Sequence, residues 1–189
     1  MSKVTFGLSN VHVAPITAVS DQGVYTYGNV FTIPGAVNLT LDPEGEETNF
    51  YADNIKYFNV YANQGYSGSL EIAMINDDFR EKVLKETKDT NGAYVENADN
   101  TPIGFALGFQ IETDTTGRRY WYYNCTAARP GNNSATIETS KEPQTATLNI
   151  TAAPRLGDHN VRVFIDNTTE SATAYSNFFS TVYESNISG

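Results

Sequence analysis

A single cysteine, Cys125, stands among 189 residues, so no disulfide can form within the chain and a reducing cytoplasm is the expected setting. Histidine is almost as scarce. His12 and His159 lie far apart in sequence, which leaves Cys125 or a serine without an evident base and offers no soft-ligand cluster for a metal. A Gly-rich phosphate loop, an EF-hand ligand series and an HExxH stretch are all missing. Acids are plentiful, but sequence spacing places no two of them across a glycosidic bond. No catalytic, cofactor-binding or metal-binding residue is therefore assigned. An enzyme built on Cys125, His12 or His159 ranks third among the readings, behind a polymerising structural subunit and a carbohydrate-binding or adhesin-like β-sandwich module.

Positive charge is also short. With 12 Lys and Arg against 22 Asp and Glu, the formal charge is −10, which excludes a surface that grips nucleic acid by neutralising phosphates. Long apolar runs are lacking too: the first twenty residues alternate polar and apolar, unlike a signal peptide or a membrane span. The protein is expected to stay in the compartment where it is made, with no membrane partner. Asn-x-Ser/Thr triplets at Asn38, Asn124, Asn132, Asn149, Asn167 and Asn186 then carry no glycosylation signal.

What the chain does have is aromatic and β-branched residues between turn formers, the composition of a pleated protein in one domain spanning residues 1–189. Val4, Phe6 and Leu8 alternate, and the phase slips before Val11 and Val13, which predicts a strand with a bulge near Ser9 and Asn10. Strands are expected at Tyr25–Ile33 and Ala36–Leu41 around a Pro34-Gly35 bend, in a meander. Ser69–Ile75 alternates, and Asn76 is placed as the N-cap of an amphipathic helix over about 77–87. Ile103–Ile111 and Arg119–Thr126 should pair across Asp114–Gly117. Trp121, Tyr122 and Tyr123 within that pair cannot make one flat sugar platform, because consecutive strand residues face opposite ways. Further strands are expected at Thr136–Thr139, Thr145–Thr151 and Val161–Asp166. Tyr175, Phe178, Phe179, Val182 and Tyr183 have helical spacing and predict a short C-terminal helix on the core.

The segment from about 42 to 61 stands apart. Asp42, Glu44, Glu46, Glu47 and Asp53 come before the first base, Lys56, with Pro43 and Gly45 among them. Phe50, Tyr51, Tyr57, Phe58 and Tyr61 are interleaved, so this acidic loop or hairpin arm needs something to bury against. A partner subunit would serve, and Glu44, Glu46, Glu47, Phe50, Tyr51, Asp53 and Tyr57 are the candidate inter-subunit contacts.

Taken in order, IPGAVNLTL from Ile33, PEGEETNFYADN from Pro43, GYSGSLEI from Gly65, FREKVL from Phe79, FALGFQIET from Phe105 and YNCTAARP from Tyr123 resemble the major tail proteins of long-tailed, non-contractile bacteriophages. The likeness runs from about Gly7 to Tyr183. It implies a mainly β, antiparallel sandwich or barrel-like tail-tube fold with one packed helix. It also implies hexameric rings stacked into a hollow conduit for genome delivery, in the virion tail and assembled in the host bacterial cytoplasm. The implied partners are further copies of the chain, a tape-measure protein, and tail-tip and tail-terminator proteins. Double-stranded DNA would pass through the lumen without specific binding, and acids facing the lumen would let it slide. The arm would reach a neighbouring ring.

Overall fold

The computed structural model describes residues 3–132, 134 and 143–185. The first half of the chain runs through β1 (Thr5–Val19), β2 (Tyr25–Tyr27), β3 (Phe31–Thr32), β4 (Ala36–Glu44), β5 (Glu47–Ala52), β6 (Ile55–Tyr61) and β7 (Gly65–Ile72). It continues through α1 (Asp77–Lys82), β8 (Thr87–Lys88), β9 (Tyr94–Val95), β10 (Phe105–Thr113), β11 (Arg118–Ala127), β12 (Ala146–Ala152), β13 (Arg162–Ile165) and α2 (Ala172–Asn177). Among the described residues the protein is thus mainly antiparallel β with two short helices.

The two most apolar strands, β10 and β11, lie at the centre because both of their faces are covered. The main sheet has the order β2-β1-β10-β11-β12-β7-β4, with β3 added to β1 and β13 to β11. β11 serves two neighbours along one edge: Arg119–Tyr122 pair with β13, and Cys125–Ala127 with β12. The β12-β7-β4 limb folds back, so that Leu70, Ile72, Leu148 and Ile150 share one core with Val13, Phe105, Leu107, Phe109 and Tyr122. Phe79, Val83 and Leu84 close that core from α1 and the turn after it.

Alternation sends Ala106, Trp121 and Tyr123 to the opposite face, where Phe178 and Val182 of the C-terminal segment cover them. Gly108 is required there, since a Cβ would lie 2.8 Å from the Trp121 ring. Polar groups fix the segment in place. The Tyr175 hydroxyl donates to the Gly117 carbonyl at 2.6 Å, and the Tyr123 hydroxyl to the Tyr183 carbonyl at 2.9 Å. Arg155, only 6 % exposed, lies over the Tyr123 ring and donates to both Glu184 oxygens at 2.7 and 2.9 Å, so its buried charge is paired.

Several expectations hold at residue level. Asn10 adopts φ 51° in the slip of β1, and the Asn76 side chain accepts from the Phe79 N–H at 3.1 Å. β10 and β11 pair as expected, with Trp121 and Tyr123 on one face and Tyr122 on the other.

Others are corrected. Tyr25–Ile33 is two short strands, broken at Gly28–Val30, both of which add to β1. The order is therefore no meander, because Pro34-Gly35 carries the chain across to pair β4 with β7. β7 spans Gly65–Ile72 rather than Ser69–Ile75, since its pairing with β4 and β12 begins at Gly65 and Tyr66. α1 stops at Lys82 instead of about Thr87: Lys85 turns left-handed (φ 61°), and the Glu86 N–H closes onto the Arg80 carbonyl at 3.0 Å, ending the helix as a C-cap does. The polar loop after α1 holds the small β8-β9 hairpin. The strand expected at Thr136–Thr139 lies outside the described residues.

Candidate assembly surface

β4 and β7 do not end at the body of the sheet. The Gln64 N–H donates to the Glu44 carbonyl at 2.9 Å and the Ala62 N–H to the Glu46 carbonyl at 3.1 Å, so the ribbon passes directly into the β5-β6 hairpin. Gly45 makes the junction possible, because any Cβ there would collide with the Ala62 carbonyl oxygen. At the tip, Asp53 and Asn54 both sit in the left-handed region, with φ 52° and 62°, the two-residue turn that matches strand twist. The segment expected as an acidic loop or arm is this hairpin arm.

Its register sorts the side chains. Thr48 opposes Val60, Phe50 opposes Phe58 and Ala52 opposes Ile55, which gives one apolar face. Glu47, Asn49, Tyr51, Lys56, Asn59 and Tyr61 occupy the other, where the Lys56 ammonium pairs with the Glu47 carboxylate. That hydrogen bond holds the exposed Glu47 carboxyl below the usual carboxylate range. Tyr57 is the extra residue of a bulge between the two registers. The apolar face is bare: Phe50, Ile55 and Phe58 are 59, 60 and 57 % exposed. Side chains of this size are ordinarily covered, and a contiguous bare face of them marks an interaction surface.

The structure therefore gathers Glu44, Glu46, Glu47, Phe50, Tyr51, Asp53 and Tyr57 onto one hairpin, with Glu44 closing β4 opposite Gly65 and Asp53 in the tip turn. Phe50 alone of these lies on the apolar face. Ile55, Phe58 and Val60, which complete that face, were missed as contact candidates. The signal for them was the period-two alternation on either side of Asp53-Asn54.

A second surface is concave. An open groove of about 460 Å³ separates the first half of β1 from β4, lined by Phe6, Leu8, Val37, Leu39, Leu41 and Phe109, with Tyr122 and Arg162 at its side. Beside it, and sharing Ile111 and Tyr120, a second recess of similar volume is lined by Lys3, Val4 and Arg118.

The residues considered for chemistry are dispersed. Cys125 is fully buried in the first core, and burial pushes its thiol up to about 12. His12 stacks on Phe179 with ring centroids 4.2 Å apart, on the opposite side of the sheet. Burial lowers its pKa more than the contact of Nδ1 with the Asn10 carbonyl raises it. His159 occupies a left-handed turn, its N–H donating to the Arg155 carbonyl at 3.1 Å. Trp121, Tyr122 and Tyr123 are buried, so no sugar could stack on them. No helix among the described residues is long and apolar enough to cross a membrane. No family model matches the chain, and no curated protein is significantly similar to it.

Proposed function

We propose that this chain is a structural subunit that works by polymerising, and that its polymer is a tail tube of the kind its sequence segments resemble: hexameric rings stacked into a hollow conduit. The observation that carries the reading is the arm, a two-stranded ribbon whose apolar face has no partner among the described residues of its own subunit. Association is the ordinary way to remove such a face from water, at about 25 cal/mol per Å² of apolar surface.

Free strand edges point the same way. Among the described residues β4 ends the sheet on one side and β2 and β3 on the other, and edges left open in a monomer are completed when another subunit adds to them. The charge of −10 suits a conduit through which DNA slides without adhering. Tape-measure, tip and terminator proteins would set the length and ends of such a tube, assembled in the host cytoplasm and carried in the virion.

Negative-stain electron microscopy of the purified full chain across a concentration series tests the proposal. Rings or hollow tubes that grow with concentration are the expected result, and a chain that stays monomeric to its solubility limit overturns it.

A further inference from the structure

Two unpaired strand edges face each other across the groove. β1 pairs with β10 along one side, but on its other side, among the described residues, the ladder with β3 starts at His12 and that with β2 at Ile16, which leaves Thr5–Asn10 without a strand partner there. Among the described residues β4 pairs with β7 alone, so its outer edge carries no hydrogen-bonded ladder, although part of β4 lies close to β1. Between these edges the floor is apolar, built from Leu39, Leu41, Phe109 and Ile111, and Phe6 and Val37 on the rims are 73 and 55 % exposed. The site has the form that receives an added β element: backbone groups at the sides for hydrogen bonds and apolar side chains below for burial.

We infer that the arm of a second copy docks in this groove, its Phe50, Ile55, Phe58 and Val60 face against the groove floor. The inference rests on the polymer reading above and assigns the surface that receives the arm. The subunit's own arm is excluded, since it continues the ribbon of β7 and β4, the strand that walls the groove, and its apolar side chains stay exposed.

Charge selects the same partner. The hairpin beyond β4 carries Glu46, Glu47 and Asp53 against Lys56, whereas the groove and its neighbouring recess present Lys3, Arg118 and Arg162 in a chain poor in cations. Arg118 is held by Asp166, but Arg162 spends its charge on the Tyr122 hydroxyl at 3.2 Å and on the rings of Tyr66 and Tyr122, leaving it open to a carboxylate. Area fits as well. The four side chains of the docking face, each about half exposed or more, offer some hundreds of Å², roughly half of the ~800 Å² that each partner gives a standard interface, and the strand edges would add to it. Because insert and groove are different surfaces, every docked copy still offers one of each. Such a head-to-tail contact closes into rings or continues as a filament.

Photo-crosslinking decides the matter. The full chain with p-benzoylphenylalanine in place of Phe58 is mixed with an equal amount of isotope-labelled chain, assembled and irradiated, and the linked peptides are mapped by mass spectrometry. Docking predicts links between labelled and unlabelled copies at residues 3–8, 37–41, 109–111 or 118–122. Assemblies that form but link elsewhere on the copy overturn the docking and leave the polymer reading standing; a chain that never assembles overturns both.

A second arm of the test uses Val37→Arg, a change at an exposed position that leaves the fold intact. It should raise the concentration for half-assembly at least about tenfold, because docking would bury an unpaired charge. Val95→Arg, equally exposed on β9, should leave that concentration unchanged. Equal effects of the two, or none from Val37→Arg, also overturn the docking.

Discussion

The indole Nε1 of Trp121 donates to the Phe178 carbonyl at 2.7 Å, in a contact buried from solvent. This bond joins the central strand β11 to the residue that caps α2, across 57 positions of sequence. α2 spans six residues, too short to be stable alone, so the C-terminal segment is held by such contacts and not by helix propensity.

Trp121→Phe should therefore destabilise the fold by about 2–4 kcal/mol, combining a lost volume with an orphaned buried carbonyl. Urea unfolding followed by far-ultraviolet circular dichroism measures it, since Trp121 is the only tryptophan and its fluorescence goes with the substitution. A lower midpoint with an unchanged slope is expected. An unchanged midpoint would mean that the segment is held by its apolar contacts alone.

Most of the sheet was legible because its information is local. The phase slip at Ser9 and Asn10, the cap at Asn76 and the alternation of Trp121, Tyr122 and Tyr123 each write one geometric fact into a few residues. The strand order was not legible, because β3 pairs with β1 while β4 pairs with β7, and that choice is made by which apolar faces fill the shared core. The end of α1 was misjudged for a related reason: Lys85 is an ordinary helix former and is forced left-handed by the closure of Glu86 onto Arg80. Of the candidate surface, the arm could be read from its acids and aromatics. The groove could not, because Phe6, Val37 and Phe109 meet only after three strands have been placed.

Acid should weaken the fold through Asp166. Arg118 grips this carboxylate with two bonds of 2.7 Å, and that hydrogen bonding depresses its pKa below the ordinary 3.8. A depressed carboxylate adds stability that is complete above its unfolded pKa and is lost as pH falls through its lower folded value. Both side chains are more than a third exposed, so screening limits the effect to under about 1 kcal/mol. Asp166→Asn should lower the urea midpoint slightly at pH 7 and hardly at all at the acid end, flattening that part of the profile. Parallel profiles for the two proteins would remove Arg118–Asp166 from the acid response.

Cys125 should behave as a reporter of unfolding. Its thiol is fully buried and its pKa is pushed to about 12 by burial, so at neutral pH neither the thiolate nor access to it is present in the folded chain. An aromatic disulfide reagent is expected to leave the native protein unlabelled on the timescale that labels it fully in urea. Any native labelling should rise with denaturant as the core opens. Fast stoichiometric labelling without denaturant would place Cys125 at an accessible surface and reopen a chemical role for it.

The two faces of the arm should respond differently to the same chemistry. Phe50→Ser with Phe58→Ser strips the apolar face, whereas Tyr51→Ser with Tyr61→Ser strips the polar one; all four side chains are more than half exposed, so neither pair should change the unfolding free energy from urea titration by more than about 0.5 kcal/mol. Assembly is another matter. Each phenylalanine has roughly 100 Å² to bury, worth about 2–3 kcal/mol when docking covers it. Losing both should remove assembly from the range seen by sedimentation velocity, with the tyrosine pair weakening it less. If the two double variants assembled alike, the register-defined apolar face would not be the contact surface. If both assembled as well as the parent chain, the arm would be a solvent-facing hairpin and the polymer would have to be held elsewhere.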